Sequence, residues 1–245
     1  MSGTLYGIGV GPGDPELMTL KALRILQACP VVAYPAPDTG PSLARSIAAP
    51  HLTGTQQEIA IVVPMRVERF PARQVYDRAA EDVGRHLHAG RDVAVLCEGD
   101  PFFYGSFMYL YERLAGRYPC EVVPGISSMM AAGAVLGQPL AARNDVLTVL
   151  PGPLADDDLR AALSSAQAVC IIKVGRHLAR IRALLEHEGW LDEAWLLERV
   201  TMGAERRMRL RDVDGDTAPY FSIVLAYRGA EPWIGSLPLE ATEVA

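Results

Sequence analysis

Leu5-Tyr6-Gly7-Ile8-Gly9-Val10-Gly11-Pro12-Gly13-Asp14-Pro15-Glu16 decides how the rest of the chain is read. The first half is an apolar, strand-forming run, the second half is rich in glycine and proline, and a helical pattern opens near residues 17–19. Strand, glycine-rich turn and helix in that order open an α/β unit, and glycines there let a ligand approach the backbone closely. The dinucleotide fingerprint G-x-G-x-x-G nevertheless fails. Its sixth place is Pro12 when counted from Gly7 and Asp14 when counted from Gly9. The ribose-binding acid expected after the second strand is also missing, because Val32-Ala33-Tyr34-Pro35 stands there. No G-K-[ST] run occurs, which excludes a P-loop. Pro12 and Pro15 remove main-chain donors while Asp14 and Glu16 add negative charge, so the loop suits a phosphate-free ligand better than a pyrophosphate. Taken alone, such a loop is also what a tight strand-to-helix turn requires, and other segments must decide.

Outward from this loop the α/β alternation continues. Strands are expected at 5–10, 31–34, 92–97 and 120–123, with helices at 18–28, 74–89, 105–116 and 127–136. The buried, uninterrupted character of the run at 92–97 predicts a mostly parallel sheet in the N-terminal half. Arg117-Tyr118-Pro119 breaks the pattern, which places a boundary at Pro119 and two α/β domains at 1–118 and 119–245. In the second half, strands at 146–150, 168–173, 194–198 and 221–227 and helices at 157–163 and 177–188 predict a mixed sheet. Residues 35–41 and 212–219 read as turn-rich loops, and no internal repeat is visible.

Composition narrows the function. The chain has 245 residues, is 50% hydrophobic and carries a formal charge of −6, with a mean hydropathy of +0.13. That is enough apolar material for a core without disulfides, and the acidic balance argues against a nucleic-acid partner. Cys29, Cys97, Cys120 and Cys170 stand far apart with no C-x-x-C pair, which fits small buried hydrophobes. His86 and His88 are two apart and point to different faces of a helix, so no metal site is predicted. With neither a basic start followed by an apolar segment nor a stretch of membrane-spanning length, the protein is expected to be cytoplasmic and free of the membrane.

Two further loops share the character of the first. Leu96-Cys97-Glu98-Gly99-Asp100-Pro101-Phe102-Phe103-Tyr104-Gly105 lies between a buried strand and a helix. In an open α/β sheet ligands sit at the carboxyl ends of strands, so this loop and the first can face one crevice. Glu98 and Asp100 would line it with oxygen, which suits ribose hydroxyls and a sulfonium cation; a plain turn over Gly99-Asp100-Pro101 is the other reading. In Val122-Val123-Pro124-Gly125-Ile126-Ser127-Ser128, Ser127 is placed to cap the next helix or to present its hydroxyl to a ligand.

Taken together, Gly9-Val10-Gly11-Pro12-Gly13, Gly99-Asp100-Pro101-Phe102 and Pro124-Gly125-Ile126-Ser127-Ser128 resemble the tetrapyrrole methylase family of class III methyltransferases, in order and spacing over nearly the whole chain. Tyr34-Pro35, the run from Phe103-Tyr104-Gly105 to Glu112-Arg113-Leu114, and Lys173-Val174-Gly175-Arg176 resemble those members that methylate C-20 of precorrin-2. The resemblance implies two α/β domains with an active-site cleft between them, a homodimer, and conversion of precorrin-2 to precorrin-3A. S-adenosyl-L-methionine would be the methyl donor and S-adenosyl-L-homocysteine its product. It further implies that Gly11 and Pro12 border the cofactor and that Gly99, Asp100 and Pro101 hold it. Ser127 and Ser128 would contact its methionine or ribose part, and Val174 and Met202 would flank the adenine. Tyr34, Tyr104, Arg176 and Arg206 are the candidates for substrate contact, the arginines because the substrate carries many carboxylates. The catalytic base is left unassigned, although Glu98 and Tyr104 are placed to assist a proton. Alternatives are the same methylation on cobalt-factor II, another acceptor of the family such as the diphthamide precursor, a nucleotide-binding oxidoreductase, and a sensor that binds the cofactor without turnover.

Overall fold

Five short apolar runs of the first half align as one parallel sheet, and the crossings between them determine where a ligand can sit. A computed structural model describes residues 1–63, 70–231 and 234. Two compact units appear, Met1–Ser127 and Ser128–Ala245. The first contains β1 (Leu5–Gly9), α1 (Leu20–Ala28), β2 (Val31–Ala36), α2 (Leu43–Ala48), β3 (Gln57–Val62), α3 (Phe70–His88), β4 (Val93–Cys97), α4 (Phe107–Leu114) and β5 (Cys120–Val123). Its strand order is β3-β2-β4-β1-β5, with every pairing parallel.

Side-chain alternation along β4 shows how both faces are covered. Val93, Val95 and Cys97 join a core with Tyr76, Ala79, Ala80, Val83 and Leu87 of α3 and with Phe107, Leu110 and Leu114 of α4. Ala94 and Leu96 point the other way, toward Ala22, Ile25 and Leu26 of α1 and Ala44, Ile47 and Ala48 of α2. The α3 residues recur at three- and four-residue intervals, which is the stripe a helix needs to bury one face. The starts of the first two helices are set locally: Thr19 Oγ1 accepts from the Ala22 N–H at 3.1 Å and Ser42 Oγ from the Arg45 N–H at 3.2 Å. The chain steps from β1 outward to β2 and β3 along one side of the sheet, then from β4 across to β5 along the other. Its direction therefore reverses between the neighbours β1 and β4, which is the place where open α/β sheets bind ligands.

The second unit contains α5 (Ser128–Leu136), β6 (Leu147–Pro151), α6 (Asp156–Leu163), β7 (Ala168–Ile172), α7 (Leu178–His187), β8 (Ala194–Glu198), β9 (Arg206–Arg209) and β10 (Ser222–Tyr227). Strand order is β6-β7-β10-β8-β9. β6 and β7 are parallel, while β10 runs antiparallel to both β7 and β8, and β8 antiparallel to β9. The expected mixed sheet is therefore what forms. β7 and β8 run in the same direction on either side of β10, so the loops that follow them leave from the same end of the sheet. Leu159 and Leu163 of α6 and Leu178, Ile181, Leu184 and Leu185 of α7 cover one face, against Val169, Ile171, Leu196 and Val224.

The structure differs from the sequence reading at a boundary and at several elements. The break between units falls after Ser127 rather than at Pro119, because Cys120–Val123 pairs with β1 and completes the first sheet. A strand at Gln57–Val62 went unforeseen: it is an edge strand that opens on the solvent-facing Gln57 and Glu58 before its apolar half. Arg206–Arg209 is likewise a strand, although three of its four residues are arginine. Cys29, Cys97 and Cys170 are buried and Cys120 half-buried, all with free thiols. Burial pushes the Cys29, Cys97 and Cys170 thiols up to about 12, so they pack as neutral groups. Among the described residues no helix is long and apolar enough to cross a membrane, and no group of His, Cys, Asp and Glu side chains could hold a metal ion.

Candidate functional site

At the carboxyl ends of β1 and β4 three backbone segments converge, each through a glycine. A Cβ on Gly125 would lie 2.0 Å from the Gly99 carbonyl oxygen and 2.7 Å from Gly9 Cα. A Cβ on Gly9 would lie 2.6 Å from the Gly99 oxygen and from the Gly125 main chain. Only residues without a side chain let the segments approach so closely. Gly99 and Gly11 also occupy the left-handed region, at φ +63° and +84°. The β1–β4 ladder runs on past the strand ends: the Val10 N–H donates to the Cys97 carbonyl at 2.9 Å and the Gly99 N–H to the Gly11 carbonyl at 2.8 Å. Gly9, Gly11, Gly99 and Gly125 thus meet in one close main-chain junction, with Pro12 buried directly after Gly11.

Asp100 ties this junction together. Its Oδ1 accepts from the Phe102 and Phe103 N–H groups at 2.9 and 3.0 Å, and its Oδ2 accepts from the Gly125 N–H at 3.0 Å. One carboxylate therefore closes the turn around Pro101 and fastens it to the third segment. Gly105 closes the far side, since a Cβ there would lie 2.6 Å from the carbonyl oxygens of Asp100 and Pro101. Between them Tyr104 is held at φ +57°, is 44% exposed, and meets Phe103 edge-on at 5.1 Å between ring centroids. Non-glycine residues in this conformation concentrate at functional loops.

Glu98 lies behind the turn. It accepts from the Ala44 N–H at 3.3 Å, at the opening of α2, and burial pushes its carboxyl above the usual carboxylate range. Tyr34, near the end of β2, lies against Glu58 and Arg45. Arg45 grips Glu58 in a fork, Nε to Oε2 at 2.7 Å and Nη2 to Oε1 at 2.9 Å, and this holds the Glu58 carboxyl below its usual range. Burial, and after it Glu58, pushes the Tyr34 phenol up, so it stays a neutral hydrogen-bonding group. Ser127 is buried at the entry to α5, and Ser128 is that helix's first residue.

In the second unit the sheet register brings the loops of Val174 and Met202 to one edge. Ile172 pairs with Ile223 and Glu198 with Ser222, so β7 and β8 end level with the start of β10. Three residues just past those ends adopt left-handed backbone: Lys173 at φ +57°, Arg199 at +49° and Thr201 at +63°. Val174 has no exposed surface and packs in the apolar core. Met202 is half-buried. Arg176 is exposed, its Nε 3.4 Å from His177 Nε2. Arg206 pairs with the buried Glu198 at 3.5 Å. The other arginines nearby are engaged elsewhere: Arg207 by Glu205, Arg209 over the Trp195 ring at 4.1 Å, and Arg211 by Asp192. Glu205 and the left-handed Thr201 escaped the sequence reading, since nothing in a run of ordinary residues announces a positive φ.

Comparison with known proteins gives this arrangement a lineage. The family model for Tetrapyrrole (Corrin/Porphyrin) Methylases matches residues 4–214. The chain belongs to the tetrapyrrole methylase family. A precorrin-2 C(20)-methyltransferase of Sinorhizobium is 42% identical over 91% of this tetrapyrrole methylase and 94% of the relative. The cobalt-precorrin-2 C(20)-methyltransferase of Salmonella typhimurium is 32% identical over 92% and 96%. The cobalamin biosynthesis protein CobIJ of Mycobacterium tuberculosis is also 42% identical over 91% of the chain, which spans only 46% of CobIJ. Among solved structures, uroporphyrin-III C-methyltransferase of Thermus thermophilus complexed with S-adenyl homocysteine superposes with a TM-score of 0.67 at 24% identity, over 91% of this chain and 92% of that one. A cobalt precorrin-4 methyltransferase does so with 0.69 at 22%, over 95% of each. These structures share the fold of this tetrapyrrole methylase.

Proposed function

We propose that this protein transfers a methyl group from S-adenosyl-L-methionine to C-20 of precorrin-2, giving precorrin-3A on the route to cobalamin. The observation that carries the reading is the meeting of Gly9, Gly99 and Gly125 at the switch point of a parallel sheet, in a chain 42% identical to a precorrin-2 C(20)-methyltransferase along nearly the full length of both. The metal-free substrate is favoured over its cobalt counterpart because the relative named for the latter is more distant, at 32%.

The residues fit the cofactor. Pro12 brings no N–H and Asp100 has its oxygens turned to main-chain donors, so these loops suit an uncharged ribose and a sulfonium better than a phosphate. The bound cofactor supplies an already activated methyl group. What remains for the chain is to hold and align the partners and to exclude water, and alignment of this kind is worth roughly 7–11 kcal/mol. In this reading Gly11 and Pro12 border the cofactor, and Gly99, Asp100 and Pro101 shape its seat. Ser127 and Ser128 meet its methionine or ribose part, and the loops of Val174 and Met202 serve the adenine. Tyr34 and Tyr104 serve the substrate, and Arg176 and Arg206 its carboxylates. Arg206 does so from its pair with Glu198, whose buried oxygen keeps the guanidinium in place. The reading also takes the protein as a cytoplasmic homodimer with neither nucleic-acid nor membrane partner, which light scattering of the purified protein checks for the dimer.

The test is incubation with precorrin-2 and S-adenosyl-L-methionine followed by mass spectrometry. One added methyl group on the metal-free tetrapyrrole is expected; addition only to the cobalt-loaded compound would shift the assignment to that substrate. Calorimetry with S-adenosyl-L-homocysteine and with NAD separates a methyltransferase from an oxidoreductase, and binding should be seen with the first alone.

A further inference from the structure

The loop that follows β8 is strained and is held by a side-chain clamp. Thr201 is β-branched yet stands at φ +63°, and Arg199 two residues earlier stands at +49°. A β-branched residue pays a steric cost in the left-handed region, so such a turn persists only where its surroundings impose it. Here Glu205 imposes it. Glu205 Oε2 accepts from the Thr201 N–H at 2.7 Å, and Oε1 accepts from Arg207 Nε at 3.0 Å. Arg207 is anchored in turn by donating from Nη1 to the carbonyl of Val135 at 2.7 Å, in the last turn of α5, where a cation also suits the helix dipole. The Glu205 side chain is 15% exposed and that of Arg207 27%, so water competes little for these bonds. The main chain closes the same loop: the Glu205 N–H donates to the Met202 carbonyl at 3.0 Å and the Met202 N–H to the Arg199 carbonyl at 2.9 Å.

We propose that Glu205, steadied by Arg207, is a positioning residue that holds residues 199–202 in the one backbone shape able to receive the cofactor, with Met202 at its tip. The inference rests on the assignment of Met202 to the cofactor given above. Its physical content is a population: a ligand that fits one loop shape binds with an affinity reduced by the fraction of molecules holding that shape. Glu205 keeps the fraction near one; without it, Thr201 relaxes toward ordinary backbone.

The test is calorimetry with S-adenosyl-L-homocysteine on the wild type, on Glu205→Ala, and on Glu205→Ala combined with Thr201→Gly, with a thermal melt of each. Loss of a hydrogen bond to a charged acceptor should weaken binding of the first variant by about tenfold. Glycine adopts positive φ without a clamp, so Thr201→Gly should recover most of that loss even if the melting temperature stays lowered. Wild-type affinity in Glu205→Ala, or a double variant that binds as weakly as the single one, overturns the proposal. Should Glu205→Ala fail to fold, Glu205→Leu, which keeps bulk but offers no acceptor, takes its place with the same expected and overturning results. A wild type that does not bind S-adenosyl-L-homocysteine overturns instead the functional reading on which this inference stands.

Discussion

The loops at the end of the first sheet and those at the end of the second arrive at unusual backbone by different means. Around β1 and β4 the backbone is bare because Gly9, Gly99 and Gly125 have no side chains, and the segments approach until no Cβ fits. After β7 and β8 the unusual backbone is carried by Lys173, Arg199 and Thr201, residues that avoid it when left to themselves. In the first loops the close approach is permitted by glycine and then fastened by Asp100; in the second the backbone depends on side-chain ties such as the one from Glu205 to Thr201. A glycine loop is written in the sequence and costs conformational entropy on folding. A tied loop is invisible in the sequence and stores strain that its partners must offset.

That contrast breaks most sharply at Gly125. Gly125→Ala puts a Cβ 2.0 Å from a carbonyl oxygen, so it should cost about 3 kcal/mol or more in urea denaturation and abolish S-adenosyl-L-homocysteine binding. A variant of parental stability would mean that the segments do not meet as described. Asp100→Ala comes next. It frees three main-chain donors of a surface loop, and is expected to lower cofactor affinity by about tenfold or more while costing about 1–2 kcal/mol of stability. Unchanged affinity with a lowered melting temperature would reduce Asp100 to a turn residue. The smallest effect should have the opposite sign. Lys173 stands at φ +57°, where glycine is at ease, so Lys173→Gly should stabilise the fold by up to about 1 kcal/mol, read as a rise in melting temperature. A fall of that size would show that the Lys173 side chain holds its loop, as Glu205 holds its own.

How much was legible follows the same division. The alternation of strands and helices in the first half, the parallel and mixed character of the two sheets, and the strand-end loops could be read because apolar runs and glycine-proline clusters signal them directly. β3 and α2 were missed for local reasons: Gln57 and Glu58 open an edge strand facing water, and Leu43–Ala48 is six residues long, too short for a helical period to repeat. The boundary at Pro119 was drawn where the pattern breaks, yet membership of a sheet is decided by pairing, and Cys120–Val123 pairs with β1 across more than a hundred residues of chain. The burial of Val174 is likewise a matter of tertiary packing, since its place just after β7 turns it into the apolar core.

By itself the sequence determined the α/β class, the two-part organisation, the failure of the dinucleotide fingerprint and the family resemblance. Each of these depends on residue types at short spacing, and short-range sterics and periodicity express them directly. Only the tertiary structure decided that Gly9, Gly99 and Gly125 touch, that the Asp100 carboxylate is spent on the main chain of two segments, and that Glu205 and Arg207 hold Thr201 in a conformation it would otherwise leave. Those facts depend on which distant segments come together, and a one-dimensional pattern of hydrophobicity and glycine does not encode the distance between two strand ends.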